Sequence, residues 1–342
     1  MAPAAPQDGM KTSGGPRACP TSEPLPPEVF DGAAQMSELG ERIRGGDLRG
    51  LARAATLIEN RGPQADPLMA ELFPHTGRAI LIGVTGAPGS GKSTLVDQLT
   101  AAYRGDGKTV GVIAVDPTSP FTGGAILGDR IRMQRHHADP GVFIRSMATR
   151  GWMGGLSRAA TDMALLLDAA GRDVVIVETV GVGQDEVEIA RLADVTVVVL
   201  VPGLGDDVQA IKAGIMEIAD VFAINKADLP GAAKLDREIR NNLALAHRPD
   251  GWTPEVVETV ANEGQGIEAL AAAVERYRAS QPARARSADI WRLRLREMLR
   301  DRLLERLPIA HLDRAAADVA ARRRDPYTAV QEFLERIHQE KE

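Results

Sequence analysis

Residues 86–94 read GAPGSGKST and follow the apolar run AILIGV at residues 79–84. Four residues separate Gly86 from Gly91, and Lys92 and Ser93 follow, which is the P-loop spacing placed between a buried strand and a helix start. Glycines let backbone N–H groups converge on phosphate oxygens, and the following helix adds the positive end of its dipole. An ordinary Gly-rich turn is the alternative, but strand, loop and helix together predict a nucleotide-phosphate site.

This loop supplies the first set of predicted nucleotide-binding residues. Lys92 is expected to place a positive charge beside the β- and γ-phosphates, which makes it a catalytic candidate, and the Ser93 hydroxyl is the expected Mg²⁺ ligand. The complete set predicted from the loop is Gly86, Ala87, Pro88, Gly89, Ser90, Gly91, Lys92, Ser93 and Thr94.

Composition limits the class of protein. Hydrophobic residues make up 44% of the 342 residues, and no uninterrupted apolar stretch is long enough to cross a bilayer, so we expect no membrane association. The net charge of −6 argues against a general nucleic-acid binder. A single cysteine, Cys19, excludes an internal disulfide and suits a reducing compartment. Because the first thirty or so residues lack the apolar core of a secretory signal, we expect a cytoplasmic protein.

The chain is expected to form one α/β core with helical additions. Short Val- and Ile-rich runs alternate with helical patterns after the P-loop, which predicts strands buried on both faces and therefore a doubly wound, mostly parallel sheet. The N-terminal helical pattern is interrupted at Gly45 and Gly46. The predicted divisions are a disordered Pro/Gly-rich tail at 1–30, a helical extension at 31–75, the P-loop domain at 76–280 and a helical region at 281–342.

Asn225, Lys226, Ala227 and Asp228 follow an apolar strand and form the predicted base-reading loop. The Asp228 carboxylate can accept hydrogen bonds from N1–H and the exocyclic amine of guanine, whereas adenine offers an acceptor at N1. Alone, these four residues could be an ordinary turn. In the right order after a P-loop they favour GTP over ATP, and the backbone of Ala261 is the expected contact to the guanine oxygen.

Acidic residues at strand ends are candidates for the Mg²⁺ site. Glu178 ends the strand at residues 173–177 and, like Lys92, is a catalytic candidate, because a carboxylate at this place holds the ion through water in P-loop enzymes. A second acid is plausible beside a Glu. Asp116, also a catalytic candidate, and Asp129 could each fill that place, or each could be a turn residue.

Two loops carry the expected nucleotide-dependent changes. The polar loop at 116–133 contains Gly123 and Gly124 and could close over a γ-phosphate. Gly181 and Gln184 belong to the second loop, in which Val182 stands where Ras-like GTPases carry a water-positioning Gln, so slow intrinsic hydrolysis is expected. Arg145 and Arg150 are candidates for an internal arginine finger. The adjacent histidines at 136 and 137 are poorly placed for a metal site, because neighbouring helical residues point apart.

Several longer blocks extend this pattern: VDPTSPFTGGAILGDRIRM, FIRSMATRG, ETVGVGQDE and PGLGDDVQAIKAGIMEIAD, in that order between GAPGSGKST and NKAD. In these blocks, from about Ser37 to the C-terminus, the chain resembles the MeaB/ArgK family of P-loop GTPases. These GTPases are chaperones of cobalamin-dependent methylmalonyl-CoA mutase and its relatives. The resemblance implies that Asp116, Asp129 and Glu178 surround Mg²⁺. It also implies a third switch at 202–212 with Asp206 and Lys212, and a homodimer built by the C-terminal helices.

The leading functional hypothesis is a Mg²⁺-dependent GTP hydrolase, binding GTP and GDP, that serves an adenosylcobalamin-dependent acyl-CoA mutase. It would gate cofactor loading and protect or reactivate the mutase, with the mutase's adenosyltransferase as a further candidate partner. The chain lacks an Asp-x-His-x-x-Gly signature, so cobalamin should sit on the partner. One alternative is a metallochaperone GTPase for a nickel enzyme, which the scattered six histidines do not favour. Another is a transport-linked, ATP-using kinase, which Asp228 does not favour.

Overall fold

The structure is a computed structural model of the chain. It describes residues 32–116, 133–148, 158–179, 189–190, 192–203, 216–245, 248, 250–281 and 288–339.

A parallel sheet is the centre of the fold. Its strands among the described residues are β1 (Ile80–Gly86), β2 (Val110–Asp116), β3 (Val142–Ala148), β4 (Val174–Glu178), β5 (Val195–Leu200), β6 (Val221–Asn225) and β7 (Glu255–Thr259). They form one seven-stranded sheet in the order β3-β2-β4-β1-β5-β6-β7, and each neighbouring pair is parallel. The expected doubly wound parallel sheet is confirmed.

Helices lie on both sides of this sheet and at both ends of the chain. The longer helices of the described residues are α1 (Gly32–Arg44), α2 (Leu48–Glu59), α3 (Ala65–Leu72), α4 (Lys92–Gly105), α5 (Arg158–Ala169), α6 (Ala232–Leu245), α7 (Ile267–Ser280), α8 (Ala288–Glu305), α9 (Ile309–Ala320) and α10 (Pro326–Gln339). No helix in the described ranges is long and apolar enough to cross a membrane.

The central strands of the sheet are buried because they are mostly apolar. Every residue of β1, β4, β5 and β6 is buried, as the continuous Val and Ile runs predict for strands covered on both faces. One apolar cluster joins the sheet to α5 and the N-terminal helices, and a second joins the opposite face to α4 and α7. The edge strand β7 is partly exposed.

The N-terminal helices form a hairpin that packs against α5. Gly46 adopts a left-handed φ of 81° between α1 and α2, and the Asp47 side chain accepts a hydrogen bond of 2.9 Å from the Arg49 N–H to cap α2. The expected break at Gly45 and Gly46 is therefore where the hairpin turns. Leu51, Ala55 and Ile58 face the core from α2.

The C-terminal helix α8 contacts the N-terminal extension. The rings of Trp291 and Phe73 meet edge to face with centroids 5.2 Å apart, and Arg302 forms an ion pair with Asp66. Several large apolar side chains on these last helices are exposed: Leu295, Met298, Leu299, Leu304, Ile309, Leu312, Val330 and Leu334.

The strand order places the predicted site residues at one edge of the sheet. The carboxyl ends of β1, β2, β4 and β6 lead into the P-loop, Asp116, Glu178 and Asn225, respectively. Because all strands are parallel, these ends share the same edge, and the order reverses direction around β1. Ligands of open α/β sheets bind at such a reversal point.

Candidate nucleotide-binding site

The phosphate loop is built where β1 ends and α4 begins. Gly86 has φ 142° and Gly91 has φ 87°, both in the region that favours glycine. A Cβ at Gly86 would collide with the Val199 carbonyl oxygen of β5, and one at Gly91 would collide with the Asn225 side-chain amide. These glycines therefore allow the loop to pass close to both neighbours as well as to adopt its conformation.

Lys92 folds back over the loop that precedes it. Its Nζ donates to the carbonyl oxygens of Gly86 at 2.8 Å and Ala87 at 3.0 Å, and the residue is 6% exposed. A phosphate oxygen can replace these neutral carbonyls as the partner of the ammonium, because a charged oxygen is the stronger acceptor. The Lys92 ammonium therefore lies inside the phosphate loop, next to the expected phosphate position.

Ser93 and Glu178 meet at the start of α4. The Ser93 hydroxyl donates to Glu178 Oε1 at 2.6 Å, and both residues are buried. A hydroxyl and a carboxylate beside a phosphate loop are hard oxygen donors of the kind that Mg²⁺ takes, so the two residues fit the ion that the sequence implies.

Asp116 ends β2 at the same edge. Its strand neighbour β4 pairs Glu178 with Ala114, and β3 pairs Ala148 with Asp116, so the Asp116 backbone lies beyond Glu178 along the sheet. The Asp116 side chain lies outside the described part of the chain.

Asn225 joins the base-reading loop to the phosphate loop. Its Nδ2 donates to the Ser90 carbonyl oxygen at 2.8 Å, and its Oδ1 accepts from the Ala261 N–H at 3.1 Å and from the Thr259 hydroxyl at 3.3 Å. The residue is 2% exposed, so each of these bonds is shielded from water. One side chain therefore fixes three segments that are far apart in sequence.

Lys226 adds a second link, and Asp228 faces solvent. Lys226 has a positive φ of 57°, and its Nζ donates to the Gly89 carbonyl oxygen at 2.9 Å. That backbone turns the chain sharply after β6. The Asp228 side chain is exposed and has no hydrogen bond or ion pair with another residue that the structure describes, so its carboxylate is accessible to a ligand.

A buried ionic group fixes the start of β6, at the end of the strand opposite to Asn225. Asp220 accepts from the Thr196 N–H at 2.8 Å and pairs with Arg248 at 2.8 Å. Burial raises the pKa of the Asp220 carboxyl above its ordinary value, against the opposing effects of the Thr196 bond and the Arg248 charge. The contact ties the first residue before β6 to β5, which sets the register that delivers Asn225.

Arg145, a candidate arginine finger, lies on β3 and points to α2. Its guanidinium forms an ion pair with Glu59 and a 3.4 Å hydrogen bond to the Thr56 hydroxyl. The structure therefore gives this arginine a partner on the N-terminal extension. His136 is likewise engaged: its Nε2 lies 3.1 Å from Asp97 Oδ1 on α4.

Asp129 and the switch residues Gly123, Gly124, Gly181, Gln184, Asp206 and Lys212 lie outside the described residues, as do Val182 and Arg150. Thr259, in contrast, is a site residue that the sequence reasoning missed. Thr259 is the last residue of β7 and lies opposite Asn225 in the β6–β7 register. A polar residue at the end of that strand was the sequence signal that could have identified it.

Comparison with known proteins gives a family match. The model described as methylmalonyl Co-A mutase-associated GTPase MeaB matches residues 51–311. A protein of Pyrococcus abyssi (strain GE5 / Orsay) named "Putative GTPase" is 54% identical over 270 residues, which are 78% of this chain and 83% of that protein. The methylmalonic aciduria type A homolog, mitochondrial, of Caenorhabditis briggsae is 35% identical over 254 residues, 69% of this chain and 62% of that protein.

A solved structure also matches. The crystal structure of an LAO/AO transport system kinase superposes with a TM-score of 0.65 at 29% identity, and the match covers 91% of this chain and all of the other (100%).

Proposed function

Because this chain belongs to the MeaB family of methylmalonyl-CoA mutase-associated GTPases, we propose that it is a chaperone of an adenosylcobalamin-dependent acyl-CoA mutase of the methylmalonyl-CoA mutase type. Its GTPase cycle would gate cofactor loading and would protect or reactivate the mutase. The relative named methylmalonic aciduria type A homolog supports a role connected with methylmalonyl metabolism.

One observation carries the nucleotide part of this proposal. The Asn225 side chain bonds to Ser90 in the phosphate loop and to Ala261 beside the base-reading loop, while Asp228 stays exposed beyond it. Both ends of a guanine nucleotide would therefore meet one connected group of residues. A carboxylate at Asp228 matches the two donors on the guanine edge, and an adenine would leave it unpaired.

The chain's own groups account for most of the chemistry we propose. Lys92 would exchange the carbonyls of Gly86 and Ala87 for the β- and γ-phosphates, where its charge opposes the charge that develops during transfer. The backbone N–H groups of the phosphate loop would hold the same oxygens. Ser93, Glu178, Asp116 and Asp129 would hold Mg²⁺, which supplies further charge neutralisation when bound.

The proposed output is a change of contacts with partner proteins. Cobalamin would sit on the mutase, and the adenosyltransferase that loads it is a second proposed partner. The exposed apolar side chains of α8 to α10 support a homodimer, because apolar surface of this kind is typical of an interface. The described residues therefore include both a nucleotide edge of the sheet and an apolar surface on the C-terminal helices.

The test is GTP hydrolysis with and without a purified adenosylcobalamin-dependent methylmalonyl-CoA mutase. We expect slow hydrolysis by the GTPase alone and an increase of at least about tenfold when the mutase is added. Lys92→Ala should lose nucleotide binding and show no stimulation. Lys234→Ala, which removes an exposed lysine on α6, is the matched control and should behave like the wild type.

The same assay separates the alternatives. Unchanged hydrolysis in the presence of mutase, together with no complex in sedimentation, would contradict the mutase assignment. A nickel metallochaperone would show that result and would instead bind Ni²⁺ tightly in a titration. Loss of folding in Lys92→Ala would count against a role confined to nucleotide binding.

A further inference from the structure

Two buried threonines connect the phosphate loop to the strand that carries Glu178. Thr85 immediately precedes Gly86 in β1, and Thr179 immediately follows Glu178 at the end of β4. The Thr179 hydroxyl donates to the Thr85 hydroxyl at 2.9 Å. Their exposed fractions are 1% and 0%, so water does not compete for this bond.

The pair acts where the regular pairing between the two strands stops. The β1–β4 register ends with Val84 opposite Glu178, and the Thr179 N–H adds one more bond of 3.1 Å to the Val84 carbonyl oxygen. The hydroxyl bond therefore fixes the residue directly after Glu178 by its side chain as well as by its backbone. A hydrogen bond is directional, which apolar packing is not.

This end of β4 determines where the Glu178 carboxylate lies. Glu178 Oε1 accepts the Ser93 hydroxyl at 2.6 Å, and Ser93 is the second residue of α4, which follows the phosphate loop. Thr85 leads into the phosphate loop from one side, and Thr179 leads out of the Glu178 strand on the other. A shift of one strand end against the other would move the carboxylate relative to the hydroxyl.

We propose that the Thr85–Thr179 hydroxyl pair is a positioning element of the Mg²⁺ site, which holds the Glu178 carboxylate against Ser93 and so sets how strongly the ion retains the nucleotide. The inference rests on the proposed Mg²⁺–guanine nucleotide site. Neither threonine touches the ion or the nucleotide. Their effect is carried by the backbone of the residues beside them.

The experiment measures release of a fluorescent GDP analogue from the full-length protein, once with Mg²⁺ and once with EDTA. In the wild type, removing Mg²⁺ should accelerate release. Thr179→Val keeps the branched shape but removes the donor, so we expect the acceleration by EDTA to shrink about five- to tenfold. Release in EDTA alone should change little, because the phosphate loop and Asn225 remain.

Thr100→Val is the matched control. Thr100 is 0% exposed on α4, and its hydroxyl has no hydrogen-bond partner among the described residues, so its removal should leave the Mg²⁺ effect as in the wild type. The double variant Thr85→Val/Thr179→Val separates positioning from general stability. It should recover the unfolding temperature lost in Thr179→Val, because no hydroxyl is left without its partner, but it should not recover the Mg²⁺ effect.

The outcomes are distinguishable. A Mg²⁺ effect kept at its wild-type size in a folded Thr179→Val, or restored together with stability in the double variant, would overturn the positioning role and leave the metal site intact. If the wild type released the GDP analogue at the same rate with Mg²⁺ and with EDTA, the Mg²⁺ site itself would be overturned, and the inference with it. A reduced Mg²⁺ effect in both Thr179→Val and the double variant, but not in Thr100→Val, would support the proposal.

Discussion

Asp228 is the residue through which the base is expected to be selected. Its carboxylate is exposed and bound by no other described residue, whereas its neighbours Asn225 and Lys226 are both engaged with the phosphate loop. The first two residues of the base-reading loop are therefore anchored to the phosphate loop, and the Asp228 carboxylate remains accessible as a hydrogen-bond acceptor. A ligand that supplies two donors would pair with the Asp228 carboxylate without displacing a bond of that carboxylate.

Asp228→Asn should change this preference. An amide keeps one acceptor and gains a donor, so it matches xanthine, which has N1–H beside a carbonyl, and mismatches guanine. We expect GDP binding to weaken roughly a hundredfold and xanthosine diphosphate binding to improve, measured by competition against a fluorescent GDP analogue. Asp236→Asn, on α6, where the Asp236 carboxylate pairs with Arg240, is the control and should bind GDP normally. Equal GDP affinities of Asp228→Asn and wild type would contradict the assignment.

At the residue scale, local spacing predicted the loops but not the bonds between them. The P-loop residues and the four residues from Asn225 to Asp228 are recognisable because each motif is contiguous. The bond from Asn225 to the Ser90 carbonyl joins positions 135 residues apart, and the hydroxyl pair of Thr85 and Thr179 joins positions 94 apart. No local pattern carries such contacts, since they depend on which strands become neighbours.

At the scale of elements, Asp168 connects the end of α5 to the start of β1. The residue is 1% exposed, and its carboxylate accepts from the backbone N–H groups of Gly77 at 2.5 Å, Arg78 at 3.1 Å and Ala79 at 2.9 Å. Residues 77–79 connect the N-terminal extension to β1, and the backbone N–H groups of these residues donate to the Asp168 carboxylate instead of to a neighbouring strand. One side chain from a distant helix satisfies them.

Asp168→Ala should therefore destabilise the fold. It leaves buried N–H groups without an acceptor, and we expect the free energy of unfolding to fall by about 3 kcal/mol, measured by urea denaturation. Asp313→Asn, on an exposed part of α9, should change the same quantity by less than about 0.5 kcal/mol. If Asp168→Ala were as stable as Asp313→Asn, the three bonds would carry no net stabilisation.

Element positions were the part of the fold most accessible from sequence. Continuous Val and Ile runs identify β4, β5 and β6 because these strands are buried on both faces. The partner of Arg145 was not accessible in this way. The sequence made it a candidate arginine finger, and in the structure Glu59 on α2 pairs with it.

At the scale of the whole molecule, α8 contacts Phe73, which precedes β1, whereas the phosphate loop follows the other end of that strand. Leu295 and Leu299 on α8 are 59% and 61% exposed, and Ile309 and Val330 on the two following helices are 76% and 57% exposed. Meanwhile α8 is held to its own chain by Trp291 on Phe73. Trp291, Leu295 and Leu299 are spaced four residues apart, so they share one side of α8, and the apolar side that contacts the N-terminal extension at Trp291 continues into exposed surface. A second copy would place identical surfaces together.

The double variant Leu295→Glu/Leu299→Glu tests that arrangement. Two carboxylates on the apolar side should prevent burial against a second copy, because unpaired charges are costly to desolvate. We expect a dimer in the wild type and a monomer in the variant by sedimentation equilibrium, with GDP affinity unchanged since the nucleotide edge is separate. Leu245→Glu alters a single 83% exposed leucine at the end of α6 and should remain dimeric. A dimeric Leu295→Glu/Leu299→Glu variant would place the interface elsewhere, and a monomeric wild type would contradict the homodimer.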